Sequence, residues 1–405
     1  MHVFNYFKSK LAVFSLVLTC MVVIDQSSNA QNRRSCGIRD YYQNVPLPGQ
    51  PPGTILESRN ASTLSVVVHI VWNKTNENIS DQQVLDQIDR LNMDFNDPFI
   101  VKQNVPLEFR SVVANPQIRF CLASKDPAGK PHSGITRTQT THPFIGSQKN
   151  SNNLHLIHYT NLGGIDAWDT HKYINIWVGA LDNIFGRSTI GGHVISEAED
   201  GIVIDPEYFK TDLKTNKFGR TLVHEMGHYL GLLHTWGMNI GDCTEDDGLE
   251  DTPLQEGPYY DCPSYPQQSC GMSNMFMNYM DYVDDICTHM FTKDQVRLMM
   301  NTLQTSRSSL TATTIACLSV PGPVNADSID ITVLPGQGIV RIDLKNPADQ
   351  VIYFTTFNAM GQKTGEAYIN VTQHGEINIK DWPQGIYFLY FRYNKEHKTV
   401  KIFKP

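Results

Sequence analysis

The residue types and spacing best suited to chemistry lie in one stretch of eleven residues, HEMGHYLGLLH, which begins at His224. If the stretch is helical, His224 and His228 lie one turn apart on the same face, so both imidazoles can bind one metal ion. Gly231 can adopt backbone angles that end a helix, and the turn would bring His234 back as a third nitrogen ligand. Three nitrogens around a tetrahedral zinc leave one position for water, as in catalytic zinc sites. Glu225 could act on that water as a general base.

The sequence around this motif predicts a domain in which helices pack on a β-sheet. The helix that carries it is expected over about residues 217–230. The run LSVVVHIVW, which begins at Leu64, is rich in β-branched residues and predicts a buried strand. Capping boxes at Ser80 and Thr292 predict the starts of two further amphipathic helices. This order of elements is typical of an α/β (α+β) domain. Further strands are predicted at residues 118–123, 173–178 and 201–204.

The first 30 residues read as an export signal peptide. Lys8 and Lys10 precede an apolar run, and the segment ends in Ser-Asn-Ala, the kind of small residues that a signal peptidase prefers. One alternative is a membrane anchor, for which the apolar run is short. The other is a lipoprotein attached through Cys20, but Thr19 is a poor residue at the position before a lipidated cysteine. We therefore expect a secreted or surface-attached protein. No later apolar stretch approaches the roughly 20 residues that a membrane span requires.

Composition and charge exclude two other classes of protein. The chain carries 33 Lys and Arg against 41 Asp and Glu, a net charge of −8, with no basic block. Such a chain is poorly suited to bind a phosphate backbone, so no nucleic-acid partner is expected. Apolar residues make up 40% and aromatic residues 10% of the 405 residues, which excludes wholesale disorder and supplies a large core.

A second motif, Asn-Tyr-Met-Asp-Tyr at residues 278–282, resembles the Met-turn of the metzincin metallopeptidases and completes a resemblance to the pappalysin family within them. The resemblance covers about residues 33–318. It implies a metzincin catalytic domain, with a twisted mixed sheet and the zinc motif on its active-site helix. It also implies that Met280 forms an apolar floor beneath the three histidines, and that Tyr282 hydrogen-bonds the tetrahedral intermediate. Further stretches that carry the resemblance are RSCG at Arg34, NISD at Asn78, FCLA at Phe120, GITR at Gly134, NIWV at Asn175 and DGLEDTP at Asp247.

Seven cysteines remain after the signal segment, an odd number for an oxidising compartment. Four of them lie between the zinc motif and the residues after Met280, and they allow three pairings. The family resemblance implies the pairs Cys243–Cys270 and Cys262–Cys287. A zinc–thiolate site is the alternative for these four, although no CxxC pair supports it. We pair Cys121 with Cys317, which both flank the same domain.

Cys36 is the cysteine that these pairs leave over. In latent metzincins a propeptide cysteine can occupy the open zinc position as a thiolate and exclude water, and soft sulfur suits zinc. The motif around Cys36 and the odd count favour this cysteine switch. The alternative is an ordinary cysteine, free or bound to a partner.

Six carboxylates crowd into ten residues after the zinc motif, and they repel one another unless they are solvated or neutralised. A calcium ion held by carboxylate and carbonyl oxygens would order this loop. The resemblance implies Asp247 and Thr252 as ligands. A solvated acidic loop is the alternative.

The last part of the chain has short β runs separated by Gly, Asn and Pro turns, which predict a sandwich of about seven strands. It resembles the C-terminal sorting domains of proteins exported by the type IX secretion system, which implies that machinery as a partner. A substrate- or carbohydrate-binding sandwich is the alternative. The predicted organisation is a signal peptide over 1–30, a propeptide over 31–58, the metzincin domain over 59–318, a linker over 319–327 and the all-β domain over 328–405.

Together these features predict a secreted zinc-dependent metalloendopeptidase that acts on proteins or peptides and is made as a latent zymogen. A catalytically inactive binding or adhesion protein with the same fold is the alternative from another class. A zinc hydrolase acting on a non-protein amide is a third reading, against which Met280 and Tyr282 argue. We expect residues 201–204 to form the sheet edge at which an extended substrate adds as a strand.

Specificity and activation can also be predicted. The resemblance implies a preference for arginine, or for lysine, on the leaving-group side of the bond. Asp284 and Asp285, just after the Met-turn, are candidate partners for such a guanidinium. The bond between Ser58 and Arg59 presents arginine on that side at the end of the loose leader. We therefore expect self-cleavage there, which would release the segment that carries Cys36.

Overall fold

The elements of the N-terminal part follow the predicted order of strands and helices. The strands are β1 (Thr63–Trp72), β2 (Val113–Ala114), β3 (Arg119–Leu122), β4 (Ile135–Gln139), β5 (Ile174–Val178), β6 (Gly186–Ser188), β7 (Ile202–Ile204), β8 (Thr211–Asp212), β9 (Lys217–Phe218), β10 (Gln268–Ser269), β11 (Met272–Ser273) and β12 (Phe291–Thr292). The helices are α1 (Asp81–Asn96), α2 (Arg220–Tyr229), α3 (Lys293–Gln304) and α4 (Ser308–Ala312). The computed structural model describes residues 36–37, 63–96, 105–191, 193, 196–212, 217–312, 317, 329–334, 338–345, 350–358, 363–371, 373–393 and 396–404.

The main sheet is mixed, as predicted. β1 pairs in parallel with β3, β4 and β5, and β5 pairs in parallel with β7. β6 runs antiparallel to β7 at the edge of the sheet. The prediction that residues 201–204 form the edge strand is wrong, because β7 lies between β5 and β6. β6 reads Gly-Arg-Ser and lacks the β-branched or alternating pattern from which strands are predicted.

The two faces of β1 pack against different layers. Leu64, Val66, Val68 and Ile70 face the helices and join side chains of α1 and α2 in the largest core cluster. Because successive side chains of a strand point to opposite faces, His69 lies on the other face, where Trp177 packs against it at 5.4 Å between ring centroids. Full burial of each large apolar side chain contributes about 1.5–3 kcal/mol, so this run anchors the sheet beneath the helices.

Both predicted capping boxes are present. The backbone N–H of Gln83 donates to the Ser80 hydroxyl, and the backbone N–H of Ser80 donates to the Gln83 side chain before α1. Thr292 and Gln295 make the same reciprocal pair at the start of α3. These contacts satisfy backbone donors that a helix N-terminus leaves open, so the sequence signal and the observed boundary coincide.

All three disulfides expected from the sequence are present, namely Cys121–Cys317, Cys243–Cys270 and Cys262–Cys287. The last two cross-link the long segment between α2 and β12, in which the only regular structure is the two-residue ladder of β10 and β11. A zinc–thiolate site is therefore absent from these four cysteines. Cys36 forms no disulfide.

The C-terminal part contains seven strands among its described residues, as predicted. They form a three-stranded antiparallel sheet in the order β13-β14-β17 and a four-stranded one in the order β16-β15-β18-β19, with a shared apolar cluster that includes Val340, Ile352 and Leu389. The strands are β13 (Ile329–Leu334), β14 (Ile339–Leu344), β15 (Gln350–Asn358), β16 (Lys363–Val371), β17 (His374–Asn378), β18 (Gly385–Tyr393) and β19 (Glu396–Lys404).

Three predicted segments lie wholly or mostly outside the described residues. These are the signal peptide, the linker over 319–327 and all of the propeptide except residues 36–37, together with the bond between Ser58 and Arg59. Within the described part of the chain, no helix is both long enough and apolar enough to cross a membrane.

Candidate active site

The three histidines of the zinc motif converge as their spacing predicts. His224 and His228 lie on α2, and their Nε2 atoms are 3.1 Å apart. Nε2 of His234 lies 3.2 Å from Nε2 of His228. All three side chains are almost completely buried. Tetrahedral ligands at zinc–nitrogen bonds of about 2.0–2.1 Å are separated by roughly 3.3 Å, so the three nitrogens fit one zinc ion.

The turn after α2 depends on Gly231. This residue has a φ of +101°, and its N–H donates to the carbonyl of His228 at 2.8 Å. A Cβ at this position would lie 2.6 Å from the Thr302 hydroxyl, so both the backbone angle and the space require glycine. The chain then returns through Leu232, whose N–H donates to the carbonyl of Gly227. The turn thereby carries His234 back toward the helix.

Backbone carbonyls fix the orientation of two of the imidazoles. Nδ1 of His224 lies 2.8 Å from the carbonyl oxygen of Tyr279, and Nδ1 of His228 lies 2.7 Å from that of Leu232. A carbonyl oxygen only accepts, so each Nδ1 carries the proton and each Nε2 presents a lone pair. Converging lone pairs at 3.1 Å repel unless a cation lies between them. The donor set therefore fits a metal ion better than a hydrogen-bonded cluster.

Met280 lies directly beneath α2, where the resemblance implies an apolar floor. Its side chain is fully buried. A Cβ on Gly227 would lie 2.5 Å from the Met280 sulfur, which means that the helix and the Met-turn approach each other as closely as a glycine allows. The backbone N–H of Met280 donates to the Asn278 side chain at 2.9 Å, and this bond helps to fix the turn.

Tyr282 and Glu225 border the space in front of the histidines. The Tyr282 hydroxyl lies 3.2 Å from Nε2 of His234. Burial raises the pKa of the Tyr282 phenol well above its usual value, so the hydroxyl keeps its proton and can donate. Glu225 is buried beside His224 on α2. A Cβ at Gly186 of the edge strand would lie 2.9 Å from the Glu225 side chain, so β6 passes directly over this carboxylate.

Cys36 lies within the same constellation. Its Sγ and one imidazole nitrogen from each of the three histidines all lie within 4.8 Å of one another. The thiol also lies 3.5 Å from Oε2 of Glu225, and the backbone N–H of Cys36 donates to the Tyr282 hydroxyl at 3.2 Å. Gly37 donates its N–H to the carbonyl of Gly186, and Cys36 pairs with Gly186 in a parallel bridge. The segment therefore lies along the free edge of β6.

The two candidate specificity aspartates differ in their surroundings. Asp284 is exposed, and its backbone N–H donates to the carbonyl of Asp261. Asp285 is half-buried, and its Oδ2 accepts from the backbone N–H groups of Phe218 and Arg220 at 2.9 and 3.0 Å. A carboxylate at the N-terminus of α2 is stabilised by the helix dipole, so Asp285 is held in a fixed position at the start of this helix.

The acidic loop folds around Asp247. Its Oδ1 accepts from the Thr252 hydroxyl at 2.6 Å and from the Leu249 N–H at 3.1 Å. Burial raises the pKa of Asp247 well above its usual range, because desolvation disfavours the charged carboxylate. Asp251, which is half-buried, has one oxygen without a hydrogen-bond partner among the described residues.

Two further features of the site were not predicted from the sequence. Trp236 stacks on His234 with 4.5 Å between the ring centroids and an angle of 11° between the planes, and it also packs against Tyr282 at 5.0 Å. Its position two residues after the third histidine is the signal that could have pointed to it.

Arg220 at the start of α2 binds Asp94 of α1 through two hydrogen bonds of 3.0 Å. Nothing in the sequence indicates that pair, because 126 residues separate its members.

Comparisons with known proteins agree with this geometry. Residues 164–304 match the family model described as pregnancy-associated plasma protein-A, and residues 334–404 match the secretion system C-terminal sorting domain. An extracellular metalloprotease of Arthroderma benhamiae is 43% identical over 86 residues, 20% of this chain and 28% of that protein. The chain thus spans less than a third of the length of the curated relatives that match it first.

Two solved structures match over a longer part of the chain. Mature mirolysin of Tannerella forsythia, in complex with a cleaved peptide, is 37% identical, with a TM-score of 0.58, over 62% of this chain and 96% of that one. A promirolysin mutant of the same organism is 36% identical, with a TM-score of 0.58, over 63% of this chain and 85% of that one. The chain therefore belongs to the pappalysin family of metzincin metallopeptidases and ends in a C-terminal sorting domain of the secretion-system type.

Proposed function

We propose that this protein is a secreted, zinc-dependent metalloendopeptidase made as a latent precursor. The observation that carries the proposal is the convergence of three buried imidazole Nε2 atoms beside one buried carboxylate, that of Glu225, and one buried phenol, that of Tyr282. Family membership and the names of the relatives, extracellular metalloprotease and mirolysin, support peptide-bond hydrolysis as the reaction.

His224, His228 and His234 would hold the zinc ion. When bound, zinc supplies a Lewis acid for the scissile carbonyl and lowers the pKa of an attacking water to about 7. Glu225 lies on the same helix, next to His224, and accepts the proton of the attacking water as general base. It then delivers that proton to the leaving amine. Tyr282 keeps its own proton and donates a hydrogen bond to the developing oxyanion, a contact of the kind whose loss typically costs about 10²–10³ in rate.

Latency follows from the position of Cys36. The thiol occupies the side of the three histidines on which Glu225 and Tyr282 lie, and its backbone N–H already uses the Tyr282 hydroxyl. A thiolate is a good zinc ligand, so Cys36 would take the fourth position and exclude water. Because Gly37 binds the edge of β6, the same segment also blocks the strand on which a substrate would lie. Cleavage between Ser58 and Arg59 would release it.

The fixed carboxylate of Asp285 supports a preference for arginine on the leaving-group side. One of its oxygens is bound by backbone N–H groups at the start of α2, which holds the group in place. A pre-positioned carboxylate loses little side-chain entropy when it pairs with a guanidinium. Asp284 is exposed beside it and would add to the negative potential.

A structural calcium ion is proposed for the acidic loop. Asp247 is buried with a raised pKa, and the partly buried Asp251 lies on the same loop. A divalent cation bound by carboxylate and carbonyl oxygens would offset the cost of burying this charge. The Thr252 hydroxyl already donates its proton to Asp247. Thr252 would therefore bind the calcium ion through a lone pair of its hydroxyl oxygen or through its backbone carbonyl oxygen.

The proposed organisation is a signal peptide, a short propeptide, the metallopeptidase domain over 59–318 and a sorting domain over 328–405. The match of residues 334–404 to the sorting-domain model supports export through that secretion system. We propose protein or peptide substrates, the secretion machinery as a partner and a secreted or surface-attached location.

The test compares the wild-type chain with Glu225→Ala, which cannot cleave itself and is processed by added wild-type enzyme that is then removed, using casein with and without a chelator. We expect hydrolysis by the wild type only, its loss in chelator, and one equivalent of zinc in both proteins, because the variant keeps all three ligands. Zinc binding without hydrolysis by the activated wild type would favour an inactive binding protein. Hydrolysis by Glu225→Ala above a few per cent of the wild-type rate would contradict the mechanism.

A further inference from the structure

A cluster of buried polar side chains lies behind the edge strand, on the face of the sheet opposite α2. Arg187 is the middle residue of β6, pairs with Val203 of β7, and is 5% exposed. Its neighbour Gly186 faces Glu225, so alternation along the strand directs the Arg187 side chain to the other face. The proposed mechanism uses none of these groups on the far face.

The Arg187 guanidinium is held by two acceptors. Nη2 donates to the carbonyl of Gly146 at 3.1 Å and to Nε2 of His158 at 3.1 Å. His158 is 1% exposed and packs edge-on against Trp177 with 4.3 Å between ring centroids. Because Trp177 belongs to the central strand β5, this contact connects the edge strand to the middle of the sheet.

A second layer fixes the segment that carries His158. His155, three residues earlier, places Nδ1 2.9 Å from Oε2 of Glu199, whose Oε1 accepts from the Tyr159 hydroxyl. Burial first, and then the charge of Arg187, lower the pKa of both histidines, that of His155 to about 4. Both imidazoles are therefore neutral near pH 7, and His158 can accept from the guanidinium.

A metal ion is the competing reading of this cluster, because His155, His158 and Glu199 offer ligand atoms within 4.8 Å of one another. The guanidinium argues against it. A cation at Nε2 of His158 would displace Arg187 or lie beside its charge. Binding through Nδ1 instead would leave an Nε2–H pointing at the Arg187 donor 3.1 Å away. The hydrogen bond pairs Nε2 of His158 with Nη2 of Arg187 without a metal, and Nδ1 of His158 has no hydrogen-bond partner among the described residues.

The other side of β6 is where an extended chain binds. The carbonyl of Gly186 accepts from Gly37 at 3.0 Å, while Arg187 pairs with Val203 on the inner side. In a strand the outward groups come from alternate residues, so Gly186 and Ser188 present their backbone groups to a bound chain. Arg187 lies between them, and the hydrogen bonds of its side chain can fix the distance between β6 and Glu225.

We propose that Arg187 and His158 are positioning residues, which hold the edge strand β6 in register for an extended peptide in front of Glu225. The proposal rests on the proposed peptidase function for its catalytic consequence. A three-residue edge strand has few bonds of its own, so the hydrogen bond from the Arg187 guanidinium to His158 restricts its motion. Loss of that bond weakens substrate binding and leaves the chemistry of Glu225 intact.

The experiment compares His158→Phe, which keeps an aromatic ring but removes the acceptor, with His158→Gln, which restores an acceptor at a similar distance. Hydrogen exchange of the unprocessed full chain reports on residues 184–190 without requiring catalysis. We expect exchange there to be about tenfold faster in His158→Phe and close to wild type in His158→Gln, in line with the loss of one hydrogen bond to a charged group. Arg187→Met removes the donor of the same hydrogen bond and should also speed exchange about tenfold. It replaces His158→Phe in the experiment if His158→Phe does not fold.

Kinetics in a Cys36→Ala background then separate positioning from structure. We expect KM for an extended peptide to rise about tenfold in His158→Phe, with kcat within twofold and KM restored in His158→Gln. Equal KM in all folded variants, or a fall in kcat alone, would overturn the proposal. Two tightly held zinc ions per chain would also overturn it, because the cluster would then be a metal site. An inactive Cys36→Ala parent would count against the proposed function only, and hydrogen exchange would still decide this inference.

Discussion

The buried ion pair between Asp94 and Arg220 should be among the most sensitive points of the fold. Asp94 accepts two hydrogen bonds of 3.0 Å from Arg220 and one of 3.1 Å from the Tyr279 hydroxyl, and Arg90 lies 3.8 Å away. The side chains of Asp94 and Arg220 are 7% and 3% exposed. The carbonyl oxygen of Tyr279 in turn accepts a hydrogen bond from Nδ1 of His224, a proposed zinc ligand. The pair thus joins α1 to the helix and the turn that build the site.

Asp94→Asn removes the charge and leaves Arg220 buried without its counter-ion. Breaking a buried pair by removing one partner costs about 3–5 kcal/mol, because the remaining charge stays desolvated. Asp81→Asn is the matched control, since Asp81 begins the same helix and pairs with Arg137 at 2.7 Å while 63% of its side chain is exposed. An exposed pair of this kind contributes at most about 1 kcal/mol.

Urea unfolding at fixed zinc concentration measures both variants. Tryptophan fluorescence is a suitable probe, because Trp72, Trp168, Trp177 and Trp236 belong to this domain. With a urea dependence of about 3 kcal/mol per M, the midpoint of Asp94→Asn should fall by about 1–2 M and that of Asp81→Asn by about 0.3 M or less.

A double variant tests the stated cause. Arg220→Met should cost much less in the Asp94→Asn background than in the wild type, because it removes the stranded charge. Additive costs in the double variant would refute the reasoning. A loss in Asp94→Asn no larger than that in Asp81→Asn would refute it as well.

Three further outcomes are expected. Tyr282→Phe should lower kcat by about 10²–10³ with zinc content unchanged, because it removes only the oxyanion donor; unchanged kcat in steady-state assays would contradict that role. Cys36→Ala should give a precursor that processes itself faster, and Arg59→Ala should slow processing at that bond, as N-terminal sequencing of the products will show; unchanged latency in Cys36→Ala would count against the switch. Deletion of residues 328–405 should leave a folded, active peptidase, and loss of activity in the soluble truncated protein would mean that the β domain takes part in catalysis or folding.

Helix α2 and the strands of the C-terminal part were predictable because their signals are local. A spacing of four residues places His224 and His228 on one helical face whatever surrounds them, and Gly231 alone can supply the backbone angle of the turn. The capping boxes at Ser80 and Thr292 likewise depend only on residues three positions apart. Short β runs between turn residues predicted the seven strands of the C-terminal part for the same reason.

The edge of the sheet was decided only by the tertiary structure. β6 has three residues and no apolar pattern, and it is a strand because β7 pairs with it. The sequence therefore pointed to residues 201–204, whose apolar run is stronger but lies inside the sheet. The partners of Arg187 and Arg220 could not be predicted from the sequence either, because they lie 29 and 126 residues away along the chain.

The sequence by itself predicted the proposed metal ligands and base and indicated the family, since these predictions depend on residue identity at short, fixed spacings. The position of Cys36 over the three histidines, the stacking of Trp236 on His234 and the fixed carboxylate of Asp285 were decided by the folded chain. The contacts of Cys36 and Asp285 join segments that are far apart in sequence, and the geometry of all three contacts is set by how the helices and strands pack. Local spacing specifies which groups can do the chemistry, whereas packing specifies what lies in front of them.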